Sequence, residues 1–136
     1  MIFLSPLKYS PYAPMAKLYT MVPRAVGPFQ GLDMATRYAF GLIYDRWKLS
    51  DSDRNRDAFT DSYGVYCVYD RQDIAEEMGV TLPTVRKAIK ALIDHRILKA
   101  RRAGVGAAWR YYVTAFALLH LDDEFAAALC GITDDE

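Results

Sequence analysis

From Leu32 to Trp47 apolar residues return at three- and four-residue steps: Leu32, Ala35, Ala39, Leu42, Ile43 and Trp47. That period puts them on one side of an α-helix, and Asp33 is placed to cap its first turn. Upstream, Pro6, Pro11 and Pro14 keep residues 1–16 from forming one regular element, so an irregular lead-in packed by Tyr9 and Tyr12 is expected. Lys17-Leu18-Tyr19-Thr20-Met21-Val22 reads as a short strand ended by Pro23, and Gly27, Pro28 and Gly31 mark a loop. The pattern turns polar from Ser50 to Ser62, as in an exposed loop. It becomes β-branched and aromatic from Gly64 to Tyr69, as in a strand.

A second helical pattern opens at Asp70. Asp70 can cap a helix with an acidic first turn, and Ile74, Ala75 and Met78 supply its buried stripe. Gly79 falls where a left-handed residue would end that helix. Val80 can pack in the turn, Thr81 can cap the next helix, and Pro83 lies in its first turn, where a missing N–H costs little. Val85, Ile89, Leu92 and Ile93 form the expected inward face. Two capped helices joined by a three- to four-residue turn with glycine at the corner make a helix-turn-helix.

At 100° per residue, Pro83, Thr84, Lys87, Lys90, Ala91 and Asp94 fall on the outer side of the second helix, with Arg86 on its flank. A helix that reads base edges needs small or hydrogen-bonding residues near its N-terminus and cations at its edges. Thr84 and Lys87 suit base edges, Arg86 and Lys90 suit phosphates, and Thr81 and Pro83 stand at the same end. The plain alternative is a helical hairpin with a polar outer face.

After it, Ile97-Leu98-Lys99-Ala100-Arg101-Arg102 reads as a strand, Ala103–Ala108 as a flexible turn, and Trp109-Arg110-Tyr111-Tyr112-Val113-Thr114 as a returning strand. Strand, helix, helix and β-hairpin is the order of a winged helix. The expected fold is therefore α+β, mainly α: a winged helix-turn-helix over residues 17–114, followed at 115–136 by an extension with a short terminal helix. Acids at Asp122, Asp123 and Glu124, alanines inside and Gly131 describe that helix, which Leu121, Phe125 and Leu129 would seat on the body or on a second subunit.

Composition sharpens this picture through charge. The 136-residue chain has 17 basic and 17 acidic side chains, so its net charge is zero. The total hides a segregation. Between Val85 and Tyr112, eight cations (Arg86, Lys87, Lys90, Arg96, Lys99, Arg101, Arg102 and Arg110) face one acid, Asp94, for a net +7. From Leu121 to Glu136, six acids meet no base. A basic stretch inside a folded domain is a footprint for a polyanion, and the wing cations Lys99, Arg101, Arg102 and Arg110 join the recognition helix as candidate contacts. The acidic segment is expected either to be a soluble tail or to temper non-specific DNA binding.

Other chemistry is sparse. Cys67 and Cys130 and two scattered histidines make no metal-type spacing, and both thiols are expected to be reduced in a cytoplasmic protein. The apolar start, Met1-Ile2-Phe3-Leu4, lacks the basic and apolar regions of a signal peptide, and no apolar run reaches the ~20 residues of a membrane span. No nucleophile motif or phosphate loop occurs, since Gly104-Val105-Gly106 is too short and lacks the lysine, so neither enzyme activity nor a cofactor is expected. Asp45-Arg46 is read as a structural ion pair anchoring the loop, His95 as a cation suited to a helix C-terminus, His120 as packed, and most tyrosines as core.

Three stretches carry a resemblance to a family. They are Leu18-Tyr19-Thr20-Met21-Val22-Pro23; the helix through Leu42-Ile43-Tyr44-Asp45-Arg46 followed by Leu49-Ser50; and Asp61-Ser62-Tyr63-Gly64-Val65-Tyr66-Cys67-Val68-Tyr69. Gln72-Asp73-Ile74-Ala75, Thr84-Val85-Arg86-Lys87 and the hairpin from Ile97-Leu98 to Tyr111-Tyr112-Val113 continue it. Over residues 17–114 the chain resembles the N-terminal domain of the RepA-type replication initiators of Gram-positive plasmids and related mobile elements. The resemblance implies a dimeric winged-helix domain that binds double-stranded DNA at repeated origin sites, with host replication proteins as further partners. A transcriptional regulator and a protein-interaction module of a replication complex are the alternatives. The sequence departs from the family in its apolar wing turn, and in ending at Glu136 where the family continues into a variable C-terminal region, as a fragment or a shortened relative would.

Overall fold

The computed structural model describes residues 20–121. Its central element is helix α1, Met34–Ser50, started by Asp33, whose side chain accepts a hydrogen bond from the Thr36 amide at 2.8 Å. The helix buries more than the expected stripe: Thr36, Phe40 and Gly41 are buried along with Ala39, Leu42, Ile43 and Trp47, while Ala35 is only half-buried. The reason is its position, because α1 is packed by the two later helices and by the sheet. Phe40 continues into an aromatic row, 5.1 Å from Phe29 and 5.6 Å from Tyr44 between ring centroids.

The strand expected over 17–22 is not found in its described part. Residues 20–22 form no ladder, and Lys17, Leu18 and Tyr19 lie outside the described residues. The Thr20–Met21 backbone instead crosses α1 at Gly41, where the missing side chain lets it approach. Arg37 ties this entry down by donating to the carbonyls of Pro23 and Leu32. A 3₁₀ turn, Gly27–Phe29, follows.

The polar stretch after α1 is a run of turns that closes in a two-stranded hairpin, β1 (Thr60–Asp61) with β2 (Gly64–Val65). The strand expected over 64–69 is broken at Tyr66 into β2 and β3 (Cys67–Val68). The break arises because the two halves serve different sheets: Tyr66 donates its amide back to Phe59, while β3 joins the wing. Arg46 provides the anchoring expected of Asp45-Arg46 through other partners, donating to the Val68 carbonyl at 3.2 Å and lying 3.9 Å over the Tyr69 ring. Asp45 lies 3.8 Å from Lys48.

Helices α2 (Arg71–Met78) and α3 (Leu82–Asp94) form the expected helix-turn-helix. Asp70 caps α2 by accepting from the Gln72 amide, and Gly79 takes the left-handed conformation, φ 72°. Of the α3 residues read as inward, Val85, Ile89 and Leu92 are buried, joined by Ala88, but Ile93 is 39% exposed. It lies 100° from Leu92, beyond the packed sector. The chain then returns as β4 (Leu98–Arg102) and β5 (Trp109–Val113), an antiparallel pair in which Leu98 opposes Val113 and Arg102 opposes Trp109. β3 adds to the other edge of β5, giving the order β3-β5-β4. This α+β, mainly helical arrangement is a winged helix.

A helix not expected at this position, α4, spans residues 115–121 of the described chain, capped by the Thr114 hydroxyl, which accepts from the Ala117 amide. Ala117 and Leu121 seat it in the core. His120, expected to be packed, is exposed and meets the Phe116 ring edge-on. The expected acidic helix over 122–131 lies outside the described residues.

Helices α2 and α3 end in the same motif with different residues. In α2, Val80 N–H reaches the Ala75 carbonyl and Gly79 N–H the Glu76 carbonyl; in α3, Ile97 N–H reaches Leu92 and Arg96 N–H reaches Ile93. The left-handed position of the second is Arg96, φ 62°, where a Cβ is strained. Arg96→Gly is therefore expected to stabilise the protein by about 1 kcal/mol, read as a higher urea midpoint at unchanged m. Gly41→Ala runs the other way. Its methyl would sit 2.5 Å from the Met21 carbonyl oxygen and 2.7 Å from Thr20 Cγ2, and overpacking of that kind costs about 1–3 kcal/mol, read in the same titration.

Candidate nucleic-acid interface

The apolar face of α3 decides what its other face offers. With Val85, Ala88, Ile89 and Leu92 turned inward, Pro83, Arg86, Lys87 and Lys90 are exposed, Thr84 is half-exposed, and Thr81 is exposed at the N-cap. Thr81 holds the capping position without the expected side-chain bond to an amide. Its hydroxyl shares a 3.1 Å hydrogen bond with the Thr84 hydroxyl, which presents the two together at the outer end of the helix. Lys90 pairs with Asp94 at 2.9 Å, but both are well exposed, so this i, i+4 pair is worth only tenths of a kcal/mol. Lys87 also lies near the α1 N-cap. The Asp33 carboxyl is held below its ordinary range, first by its hydrogen bonds with Thr36 and then with help from Lys87. At the C-terminus of α3, His95 contacts the Ala91 carbonyl through Nδ1 at 3.0 Å.

The wing does not present its four cations together. Strand side chains alternate, so Leu98, Ala100 and Arg102 share the helix-facing side with Trp109, Tyr111 and Val113, whereas Lys99, Arg101 and Arg110 lie on the opposite side with Tyr112. The period of two thus divides the wing cations, which the sequence groups in one basic stretch, between the two faces of the sheet. Three of the four cations are also engaged. Arg110 bonds Asp61 at 2.8 Å and lies over Tyr66, Arg101 stacks 3.6 Å over Tyr63, and Arg102 donates to the Ala107 carbonyl. Lys99 makes no ion pair or hydrogen bond among the described residues.

Reading the sequence missed three residues that shape this surface. The first is Arg71, at the start of α2, which donates to the Tyr111 hydroxyl at 2.8 Å and lies 4.4 Å over the Trp109 ring. Arg102 shares that ring at 5.2 Å, so two guanidiniums meet on the helix side of the wing, at the strand pair next to its turn. A cation at a helix N-terminus opposes the helix dipole, and that mismatch was the available signal. The others are Asp61 and Tyr63 in the small hairpin. Asp61 Oδ1 accepts the Tyr63 amide, closing the turn, while Oδ2 accepts both Arg110 and the Tyr112 hydroxyl, the latter at 2.6 Å. Tyr63, 62% exposed, is the departure from the core role expected of most tyrosines. It borders an open groove of about 330 Å³ lined by Ile93, Lys99, Ala100, Arg101 and Tyr112.

Cys67 is buried with its thiol near the Ile43 carbonyl, and burial pushes its pKa up to about 12, which leaves it protonated and unreactive at neutral pH. Among the described residues no group of three or more His, Cys, Asp or Glu is placed to hold a metal ion, and no helix is long and apolar enough to cross a membrane.

No family model matches the chain, and neither does any curated protein. Solved structures do. An N-terminal domain of a DNA-binding protein is 16% identical with a TM-score of 0.55, covering 98% of each chain. A Rep–DNA complex is 18% identical with a TM-score of 0.54, covering 85% of this chain and 94% of that one. An MDR initiator is 16% identical with a TM-score of 0.51, covering 92% and 98%. At these identities the likeness is one of fold.

The Asp61 cluster gives a pH test. Desolvation works against the carboxylate, but the hydrogen bonds from Tyr112, the Tyr63 amide and Arg110 outweigh it, so the folded pKa lies below the ordinary 3.8. The unfolded chain then takes up the proton first as pH falls. The stabilisation is complete above the unfolded value and is lost as pH drops through the lower folded one. Asp61→Asn is expected to lower the Tm at pH 7, with the gap to the parent narrowing below pH ~4.

Proposed function

We propose that this protein is a sequence-specific double-stranded DNA-binding module of the replication-initiator type, acting through binding and not through catalysis. The observation that carries this reading is the outer face of α3. It joins paired threonine hydroxyls at the N-terminus to Arg86, Lys87 and Lys90, on the second helix of a helix-turn-helix that a wing flanks. Thr84 and Lys87 have the chemistry for base edges in the major groove, and Arg86 and Lys90 that for phosphates. Arg71 and Arg102, on the helix side of the wing next to its turn, extend the cationic surface beside it. The likeness to a Rep–DNA complex and to an MDR initiator supports an origin as the target, and the resemblance to the RepA-type family supports a homodimer on repeated sites, in contact with host replication proteins. A DNA partner of this kind supports a cytoplasmic location.

The engaged wing cations change the expected strength of the electrostatic contribution. If about six of the eight cations between Val85 and Tyr112 met phosphates, affinity would fall with salt at a slope near −5 on a log–log scale. With Arg101 and Arg110 held against the small hairpin, about four remain on the α3 side, and the slope falls to about −3.6.

Fluorescence anisotropy against duplexes tiling the protein's own gene and flanks, repeated over a salt series, tests the reading. One tile should bind far more tightly than the rest. Lys87→Ala should weaken that tile by about tenfold or more and relax its lead over the others. Arg86→Ala should weaken all tiles alike and reduce the slope by about one. Uniform weak binding would leave a general DNA binder, and no binding at low salt would favour a protein partner for the same face.

A further inference from the structure

One edge of the wing sheet is left open. In the order β3-β5-β4, strand β4 has a neighbour on one side only. The Thr114 amide bonds the Ile97 carbonyl at 3.1 Å, and antiparallel bonding alternates, so Lys99 and Arg101 turn their N–H and C=O toward β5. Ala100, between them, turns its own N–H and C=O outward, where they meet no hydrogen-bond partner among the described residues. The groove of about 330 Å³ lies at this edge, because Ala100 lines it together with Lys99, Arg101 and Tyr112. Two exposed side chains of apolar character, Ile93 and Tyr63, complete its lining.

An open strand edge is a template for another strand, and charge selects which. A second β4 would bring Lys99, Arg101 and Arg102 of both copies together, so like charges guard this edge against self-pairing. A strand that carries carboxylates meets the opposite situation. Lys99 is exposed and makes no ion pair, and Arg101, stacked over Tyr63, is paired with no carboxylate among the described residues. Asp61, the acid nearest them, is bound to Arg110 and Tyr112. Side chains two apart share a face, so carboxylates at alternate positions of an added strand can meet Lys99 and Arg101 together. The residue between those carboxylates would face the helix side with Ala100, where Ile93 offers an apolar contact.

We propose that the open edge of β4 is a docking site for an extended acidic segment of a partner protein, which adds to the wing sheet as a fourth strand. Main-chain hydrogen bonds to Ala100 supply affinity. Alternating carboxylates on Lys99 and Arg101, with an apolar residue between them against Ile93, supply specificity. The site uses none of the residues given above to DNA, so it does not depend on that reading.

The test is fluorescence anisotropy of the full chain with a short labelled peptide of alternating aspartate and valine. It should bind saturably, and a peptide with lysine in place of aspartate should bind at least about tenfold more weakly. Two further versions are N-methylated at every valine or at every aspartate. One of them should lose about tenfold or more and the other should keep its affinity, because only one edge of the peptide faces β4. Lys99→Glu should weaken the acidic peptide and strengthen the lysine one, with its Tm at the parent's. Binding that survives both patterns of N-methylation would be held by charge alone and would overturn the proposal. So would equal binding of the acidic and lysine peptides, or an affinity that Lys99→Glu leaves unchanged. No binding at all also overturns it, and in a parent that sediments as a dimer it would point to a second copy as the cover of this edge.

Discussion

The fold is organised around keeping one face of α3 dry. Val85, Ala88, Ile89 and Leu92 are each no more than 2% exposed, and burying a branched aliphatic side chain is worth about 1.5–3 kcal/mol. To cover them the domain brings α1, α2 and the helix-facing side of the wing sheet together around α3, and that closure leaves the polar residues of the helix no position except the outside. The surface offered to a partner is thus a consequence of the core. A helix of 13 residues with four positions buried must turn most of the rest outward, and Thr84, Arg86, Lys87 and Lys90 are among them, beside Pro83, Ile93 and Asp94.

The wing sheet faces a harder electrostatic problem, because Arg101 and Arg110 stand directly opposite each other on one face. Like charges at opposed positions destabilise a strand pair. The small hairpin β1–β2 resolves this by laying a carboxylate and two rings across that face. Asp61 takes Arg110, Tyr63 takes Arg101, and Tyr66 and Tyr112 fill the space between, with centroids 5.9 Å apart. Two cations that look free in the sequence are thereby bound into the architecture. The helix side of the sheet has its own cluster, where Arg71 and Arg102 share Trp109, but no carboxylate is bonded to either guanidinium there among the described residues. Cations without a counter-charge remain available to an outside anion, whereas Arg110 on the other side already has its own in Asp61.

Local signals explain how much of this was legible. The caps Asp33 and Asp70, the left-handed Gly79, the helix-turn-helix and the wing hairpin are all written within a few residues of one another, and the structure has them where the sequence placed them. What could not be read is non-local. Nothing near Thr20 says that its backbone will cross Gly41 instead of pairing with a strand. Nothing near Tyr66 says that two short strands will part there for different sheets. Helix α4 was hidden because its seat, Ala117 and Leu121, has meaning only against a core built by distant residues. In the candidate interface, the helix positions followed from a period of 3.6 and were legible. The wing positions needed the register between β4 and β5 and the covering hairpin, and neither has a sequence signal of its own.

Two residues sit where local physics would choose otherwise, and both border β4. Arg96 occupies a left-handed position whose twin in α2 is glycine, and Val105 stands bare in a turn that would be better solvated by a polar side chain. Neither is explained by packing, since both are exposed. Sequences are consistent with their folds almost everywhere, and the exceptions concentrate where a residue serves something other than the fold. A cation at the α3–β4 corner and an apolar group at the wing tip are complementary exceptions. The strand between them, β4, sets their separation. The strain at Arg96 and the exposed surface at Val105 are then two costs that nothing in the fold itself repays.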